Sequence, residues 1–200
     1  MLQPGDLVVD IGANIGFFTL LAAQCVGASG RVLAFEPMPE TNADLREILT
    51  LIGSRTSSCM TTLRPIAMAT FYPGPVDHCG TSSLRPVEGG RKAICVRTAR
   101  FDGLLPQGQR VALVKIDVEG AEYHAIEGMI GQIERDHPDL VVEVTDRYLQ
   151  PLGHSAQDLC HRLCDLGYRA YSIEHEELCL LNIKKSNFSG QFNAVVSGRG

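Results

Sequence analysis

Residues 8 to 16 read Val-Val-Asp-Ile-Gly-Ala-Asn-Ile-Gly, an apolar run that breaks into a glycine loop with Asp10 at its edge. A strand that runs into such a loop and then into a helix is a nucleotide-binding device, and it commits the chain to an open sheet with its ligand at the strand tips. Gly12 and Gly16 are expected to let the backbone approach a ligand closely, where a Cβ would collide. The next strand candidate, Arg31 to Phe35, ends in Glu36-Pro37, twenty positions after Gly16. A carboxylate there can accept both hydroxyls of a ribose. The loop has the form Gly12-x-x-x-Gly16 with Asn14 between, and lacks the longer Gly-x-Gly-x-x-Gly spacing that seats a pyrophosphate on a helix N-terminus. It suits a nucleoside without phosphate.

The rest of the chain alternates strand and helix patterns. Leu7 to Ile11 reads as strand one, and the helix after Gly16 is expected to turn Phe17, Leu20, Leu21 and Cys25 inward. Strand two is Val32 to Phe35. Thr41-x-x-Asp44 has the form of a capping box opening a helix with Leu45, Ile48, Leu49 and Ile52 on its core face, closed by Gly53. Strand three falls within Met60 to Ala67. Residues 70–90 are rich in Pro, Gly, Ser and Thr without helical period, and Ala93 to Thr98 forms a short strand beyond them. The segment 70–98 therefore reads as a loop or hairpin insertion, of the kind that builds active-site walls. Strand four is Val111 to Val118, followed by a helix with Ile126, Met129, Ile130 and Ile133 on one face. Strand five is Leu140 to Val144. Ser155-x-x-Asp158 starts a helix with Leu159, Leu163 and Leu166 inward, and Tyr168 to Ile173, Leu178 to Ile183 and Phe192 to Val196 supply closing strands. Short apolar strands between amphipathic helices imply an α/β, doubly wound, mostly parallel sheet with an antiparallel ending, in one domain over residues 1–200.

Composition removes several classes of function. A net charge of −5 without any long basic run argues against a nucleic-acid partner. Apolar stretches are too short for a membrane span, and no signal pattern opens the chain, so the expected location is cytoplasmic. The seven cysteines are scattered without a Cys-x-x-Cys pair. Cys160 and Cys164 stand one helical turn apart with His161 beside them, a spacing compatible with a metal, but reduced cysteines packed as small hydrophobes are the simpler reading.

The second unusual segment is Val114-Lys115-Ile116-Asp117-Val118-Glu119-Gly120-Ala121-Glu122. If strand four continues through it, Lys115, Asp117 and Glu119 share one face. An ammonium and two carboxylates at the carboxyl end of a central strand are costly unless paired or in contact with a ligand. Glu122 follows on the next helix, and Glu143 sits at the matching end of strand five.

Taken with Pro4 to Phe17 and Ala34-Phe35-Glu36-Pro37, the Lys115-Ile116-Asp117-Val118-Glu119-Gly120 segment resembles the FkbM family of S-adenosylmethionine-dependent methyltransferases, with the class I (Rossmann-like) fold. The resemblance implies seven strands in the order 3-2-1-4-5-7-6, with strand 7 antiparallel. It implies cofactor contacts from Asp10, Gly12, Asn14, Gly16 and Glu36, with Met38 and Ile66-Ala67 near the adenine. Gly80-Thr81-Ser82-Ser83 is similar to a serine-containing loop of the family near the active site, which assigns Ser82 and Ser83, with Glu122 and Glu143, to the acceptor. Family members methylate hydroxyl oxygens of sugars or secondary metabolites, so a small hydroxylated molecule is the expected partner. They also carry an N-terminal segment over the substrate, so this chain reads as a minimal member, a trimmed form or a piece of a larger protein.

Such a transfer needs a base for the acceptor hydroxyl, and Asp117 or Glu119, raised by crowding among carboxylates, is the expected one. Lys115 is expected to orient the carboxylates or the acceptor oxygen, and His78 is a secondary candidate. A divalent metal on Asp117, Glu119 and Glu143 is compatible with the residue types but not specified by them. The alternatives are a non-catalytic scaffold that retains the cofactor fold and an NAD-dependent oxidoreductase, the latter disfavoured by the missing third glycine.

Overall fold

The computed structural model describes residues 2–51, 57–60, 67–75, 80, 82–105, 108–174, 177–180 and 191–197. β1 (Leu7–Ile11), β2 (Arg31–Phe35), β3 (Ser57–Met60), β6 (Val111–Ile116) and β7 (Asp139–Thr145) pair in parallel as β3-β2-β1-β6-β7. β10 (Gln191–Ser197) joins β7 antiparallel, β8 (Arg169–Glu174) joins β10, and β9 (Glu177–Leu180) closes the edge. The sheet thus has eight strands, where seven were expected. Only two residues separate β8 from β9, a length that folds the chain straight back and adds a hairpin strand. β4 (Ala67–Phe71) and β5 (Ile94–Thr98) form a separate two-stranded sheet, the base of the insertion hairpin.

Both faces of the main sheet are covered. In β1, Leu7 and Val9 enter the large core with Ile126, Met129 and Ile133, while Val8 enters a second cluster with Ala22, Ala23 and Val26. That alternation is the period of two along a strand buried on both sides. α6 (Ala156–Asp165) starts where expected, on a capping box in which Ser155 and Asp158 each accept from the other's backbone, and buries Leu159 and Leu163. Gly167, at φ +86, follows its end.

Four local expectations are corrected. α1 (Phe17–Val26) turns Thr19, Ala22, Ala23 and Val26 inward and leaves Phe17 at 80% and Leu21 at 51% exposure, with Cys25 also exposed. Small side chains let this helix lie close to the sheet, and the larger ones had only the outer face. α2 (Pro39–Leu51) begins at a proline two residues ahead of the supposed cap, because proline is preset for a first helical turn; Thr41 is therefore inside the helix and buried. Its core face holds Leu45 and Leu49 as expected, whereas Ile52 and Gly53 lie outside the described residues. β6 stops at Ile116, two residues early, since Asp117 to Gly120 leave the sheet in a turn. The following helix is split into α3 (Glu122–Glu127) and α4 (Ile130–Asp136) at Gly128-Met129. α5 (Asp146–Leu149) is a single turn after β7.

Candidate active site

The tips of β1, β2 and β6 meet through the glycine loop. Gly12 and Ala13 both donate their backbone N–H to the Phe35 carbonyl at 3.0 Å. Glu36 then grips the loop from β2, its Oε2 accepting the Asn14 N–H at 2.9 Å and its Oε1 the Met38 N–H at 2.8 Å. Burial raises the Glu36 carboxyl above its ordinary value, opposed by those two N–H donors and by Lys115. Asn14 itself is left-handed, at φ +50. Gly12 has φ +81, and a Cβ on it would fall 1.8 Å from the Asp117 carbonyl oxygen; on Gly16, at φ +92, it would fall 2.2 Å from Leu45 Cδ1. Both glycines thus make room for the chain's own atoms.

Lys115 moors this loop. Its Nζ donates to the Gly12 carbonyl at 2.8 Å and lies 3.5 Å from Asp10 Oδ1 and 3.3 Å from Asp117 Oδ2. Asp10 is fully buried, and its Oδ2 accepts from Thr19 Oγ1 at 2.6 Å. Its Oδ1 has no hydrogen-bond partner among the described residues, and the ammonium at 3.5 Å offsets its charge. Burial pushes the Asp10 carboxyl up, while Lys115 and Thr19 pull it down.

Beyond β6 the chain turns sharply. Glu119 is left-handed at φ +52, and Gly120 follows at φ +110 with its Cβ position 2.3 Å from the Tyr148 carbonyl oxygen. Because β6 has already ended, Lys115, Asp117 and Glu119 do not share a strand face as expected; the turn re-aims Glu119 separately. Glu122, 2% exposed, accepts the N–H groups of Val118 at 3.2 Å and Gly120 at 3.0 Å on Oε1, while Oε2 has no hydrogen-bond partner among the described residues. Burial raises its carboxyl. Ser83 Oγ donates to the Glu119 carbonyl at 2.7 Å. The Glu119 carboxyl is pushed up to about 7, first by burial and then by the charges of Asp117, Glu143 and Glu122, with Arg85 opposing. Arg85 stacks 3.8 Å over the Tyr148 ring.

These elements enclose a cavity of about 340 Å³. Of the residues singled out in the sequence, Gly12, Asn14, Glu36, Ser82, Asp117 and Glu119 line it. Asp10, Gly16, Met38, Lys115, Ser83, Glu122 and Glu143 are not on its wall. Met38 is buried, and Ser83, Glu122 and Lys115 act on the backbone of the two loops instead. The side chain of Ala67, together with Ile66 and His78, lies outside the described residues. The sequence reading missed Thr41, Phe71, Phe101 and His124 on the wall. Phe101 meets Phe35 edge-on at 6.0 Å, and nothing in its own segment marks it. His124 stands edge-on to His154 at 5.1 Å, and burial, then His154, lowers its pKa. Among the described residues no three His, Cys, Asp or Glu side chains converge to hold a metal. Cys160 is buried, its thiol pushed up to about 12 by burial.

A doubly wound sheet with its cavity at the carboxyl ends of β1, β2 and β6, an acid at the end of β2 and carboxylates after β6, defines the α/β methyltransferase fold. In keeping with it, the methyltransferase FkbM from Methylobacillus flagellatus superposes with a TM-score of 0.58 at 17% identity, over 98% of this chain and 44% of that one. A Streptococcus mutans protein described as a putative methyltransferase in complex with SAH does so at 0.54 and 11%, over 98% and 90%. The methyltransferase FkbM domain model matches residues 10–170, and the chain belongs to that family. The 31-O-demethyl-FK506 methyltransferase FkbM of Streptomyces tacrolimicus is 35% identical over 105 residues, 51% of this chain and 38% of that protein. The hexuronic acid methyltransferase AglP of Haloferax volcanii is 28% identical over 139 residues, 66% and 53%. Across four such relatives the matched region spans 38% to 70% of their lengths. No helix among the described residues is long and apolar enough to cross a membrane.

Proposed function

We propose that this chain binds S-adenosylmethionine in the cavity and methylates a hydroxyl oxygen of a small acceptor, a sugar or a secondary metabolite. The observation that carries the reading is the pairing, on one cavity wall, of Glu36 at the end of β2 with Glu119 beyond β6, the latter titrating near neutrality.

The residues present fit the cofactor. Each Glu36 oxygen accepts a single backbone N–H, and an ionised carboxylate has about four acceptor positions, which leaves room for two ribose hydroxyls. Phe35, Pro37 and Phe71 supply apolar wall for a base, and Asn14 and Gly12 border the methionine part. When bound, S-adenosylmethionine supplies an activated methyl carbon. The chain supplies alignment and a proton acceptor. Asp117 is already paired with the Lys115 ammonium at 3.3 Å, whereas burial and three carboxylate neighbours favour a proton on Glu119. Glu119 is therefore the general base: near pH 7 its carboxylate takes the proton of the acceptor hydroxyl. Ser82 and the hairpin face the acceptor side. The acceptor class follows the names of the two relatives, one a methyltransferase of 31-O-demethyl-FK506 and one of a hexuronic acid.

Calorimetry with S-adenosylhomocysteine, and methyl transfer to a panel of sugars, uronic acids and hydroxylated macrolides, test the reading. Binding without transfer to any acceptor would leave only the scaffold; absence of binding ends the proposal. Glu119→Gln should reduce turnover by about 10²–10⁴-fold while cofactor-product affinity stays within a few-fold. Normal turnover in that variant removes Glu119 as the base.

A further inference from the structure

Glu119 occupies a left-handed backbone region, at φ +52, that L side chains rarely adopt, and such a conformation persists only where its surroundings over-determine it. The peptide that joins it to Gly120 is the weak point. Glycine accepts many φ values, so Gly120 does not fix this peptide plane. If the plane turns, Glu119 must leave its left-handed conformation and re-aim its side chain, because a non-glycine residue tolerates positive φ only over a narrow range of ψ. The plane is held at both ends. Glu122 Oε1 accepts its N–H at 3.0 Å, and Ser83 Oγ donates to its oxygen at 2.7 Å. Ser83 arrives from the insertion hairpin, 36 positions earlier in the chain, and is 1% exposed. It is itself fixed by a two-way backbone pairing with Tyr72, at 2.8 and 3.0 Å.

We infer that Ser83 is a positioning residue for Glu119: its buried hydroxyl, by holding the Glu119 carbonyl oxygen, sets the backbone conformation from which that side chain reaches the cavity. The inference rests on the reading of Glu119 as the base. It gives the hairpin a second task besides forming the acceptor wall, since the shape of the hairpin at Tyr72 and Ser83 is transmitted to the proton acceptor. Ser83 therefore acts through the backbone, where the sequence had suggested contact with the acceptor.

Carboxyl ¹³C NMR of the whole chain labelled at glutamate tests this without a known acceptor. The Glu119 resonance is identified by its loss in Glu119→Gln. In the unsubstituted protein its midpoint should lie near 7. In Ser83→Ala the freed peptide lets the carboxylate reach water, and the midpoint falls by about one unit, a tenfold change in proton affinity. Ser83→Thr keeps the hydroxyl and keeps the midpoint. A Ser83→Ala midpoint equal to that of the unsubstituted protein overturns the inference, as does a Ser83→Thr midpoint that moves with Ser83→Ala. Amide exchange on the unsubstituted protein is a second check that needs no variant. The Ser83 and Gly120 amides should open as one unit, with equal free energies; a Gly120 amide exchanging about tenfold faster than that of Ser83 also overturns it. If Glu119→Gln turns over normally, the base assignment fails instead, and the NMR outcome tells the two failures apart.

Discussion

Gly12→Ala is the sharpest probe of how the β1 and β6 loops meet. The added Cβ would sit 1.8 Å from the Asp117 carbonyl oxygen, against a practical minimum of 3.0 Å, so the two loops must part by about 1.2 Å. That oxygen belongs to backbone, so no side-chain rotation relieves the clash. Parting strains two bonds across the seam, Lys115 Nζ to the Gly12 carbonyl at 2.8 Å and the Asp117 N–H to the Ile11 carbonyl at 3.0 Å. Each is worth roughly 0.5–1.5 kcal/mol, and the left-handed φ of +81 costs an alanine about 1–2 kcal/mol more. The total is about 2–5 kcal/mol, a large share of the roughly 5–15 kcal/mol of a typical domain. At about 2–4 °C per kcal/mol for a chain of this size, the melting temperature should fall by roughly 10 °C. Thermal melting by circular dichroism reads the stability, and calorimetry with S-adenosylhomocysteine reads the distorted cavity floor, which should bind more weakly. A variant that melts with the unsubstituted protein and binds equally well refutes the reasoning, because the seam would then be loose enough to absorb a methyl group.

Lys115→Met removes the charge that compensates buried Asp10 and should cost on the order of 3–5 kcal/mol, read from the urea midpoint. Adding Asp10→Asn should recover part of that loss, and its failure to do so would show that the ammonium acts only on the Gly12 carbonyl. Glu36→Ala removes the acceptor of two loop N–H groups and, with it, the proposed ribose contacts, and should weaken S-adenosylhomocysteine binding on the order of 100-fold; calorimetry within threefold of the unsubstituted protein excludes the ribose role. The pH dependence of turnover should follow Glu119. A base works ionised, so the rate rises with pH and reaches half its maximum near 7, where an ordinary glutamate would already be saturated above 4.5. The same raised carboxyl binds its proton more tightly in the folded chain than in the unfolded one. Its contribution to stability therefore declines as pH climbs from 4.5 to about 7, and Glu119→Gln should abolish that slope.

The frame of the site was legible because it rests on local chemistry. Val8 to Gly16 read as an apolar strand breaking into a glycine loop, and Glu36-Pro37 as the end of the next strand. The inward face of α1 was not legible, since Phe17 and Leu21 obey helical spacing as well as Ala22 and Val26 do; the close approach of helix to sheet decided between them. The same holds for Ser83 and Glu122. Their residue types suggested ligand contact, but their partners are backbone groups of a turn that only the folded chain brings near. Phe101 and His124 escaped notice because a wall assembled from distant segments leaves no periodicity in any one of them.

Lys115 holds the loop after β1 by a main-chain oxygen, an atom that every residue type carries. The tether is therefore indifferent to what the loop displays. At Ile15, which is about half exposed, substitutions can alter the face offered to solvent while the anchor stays in place. Variation at that point can proceed without rebuilding the floor beneath it.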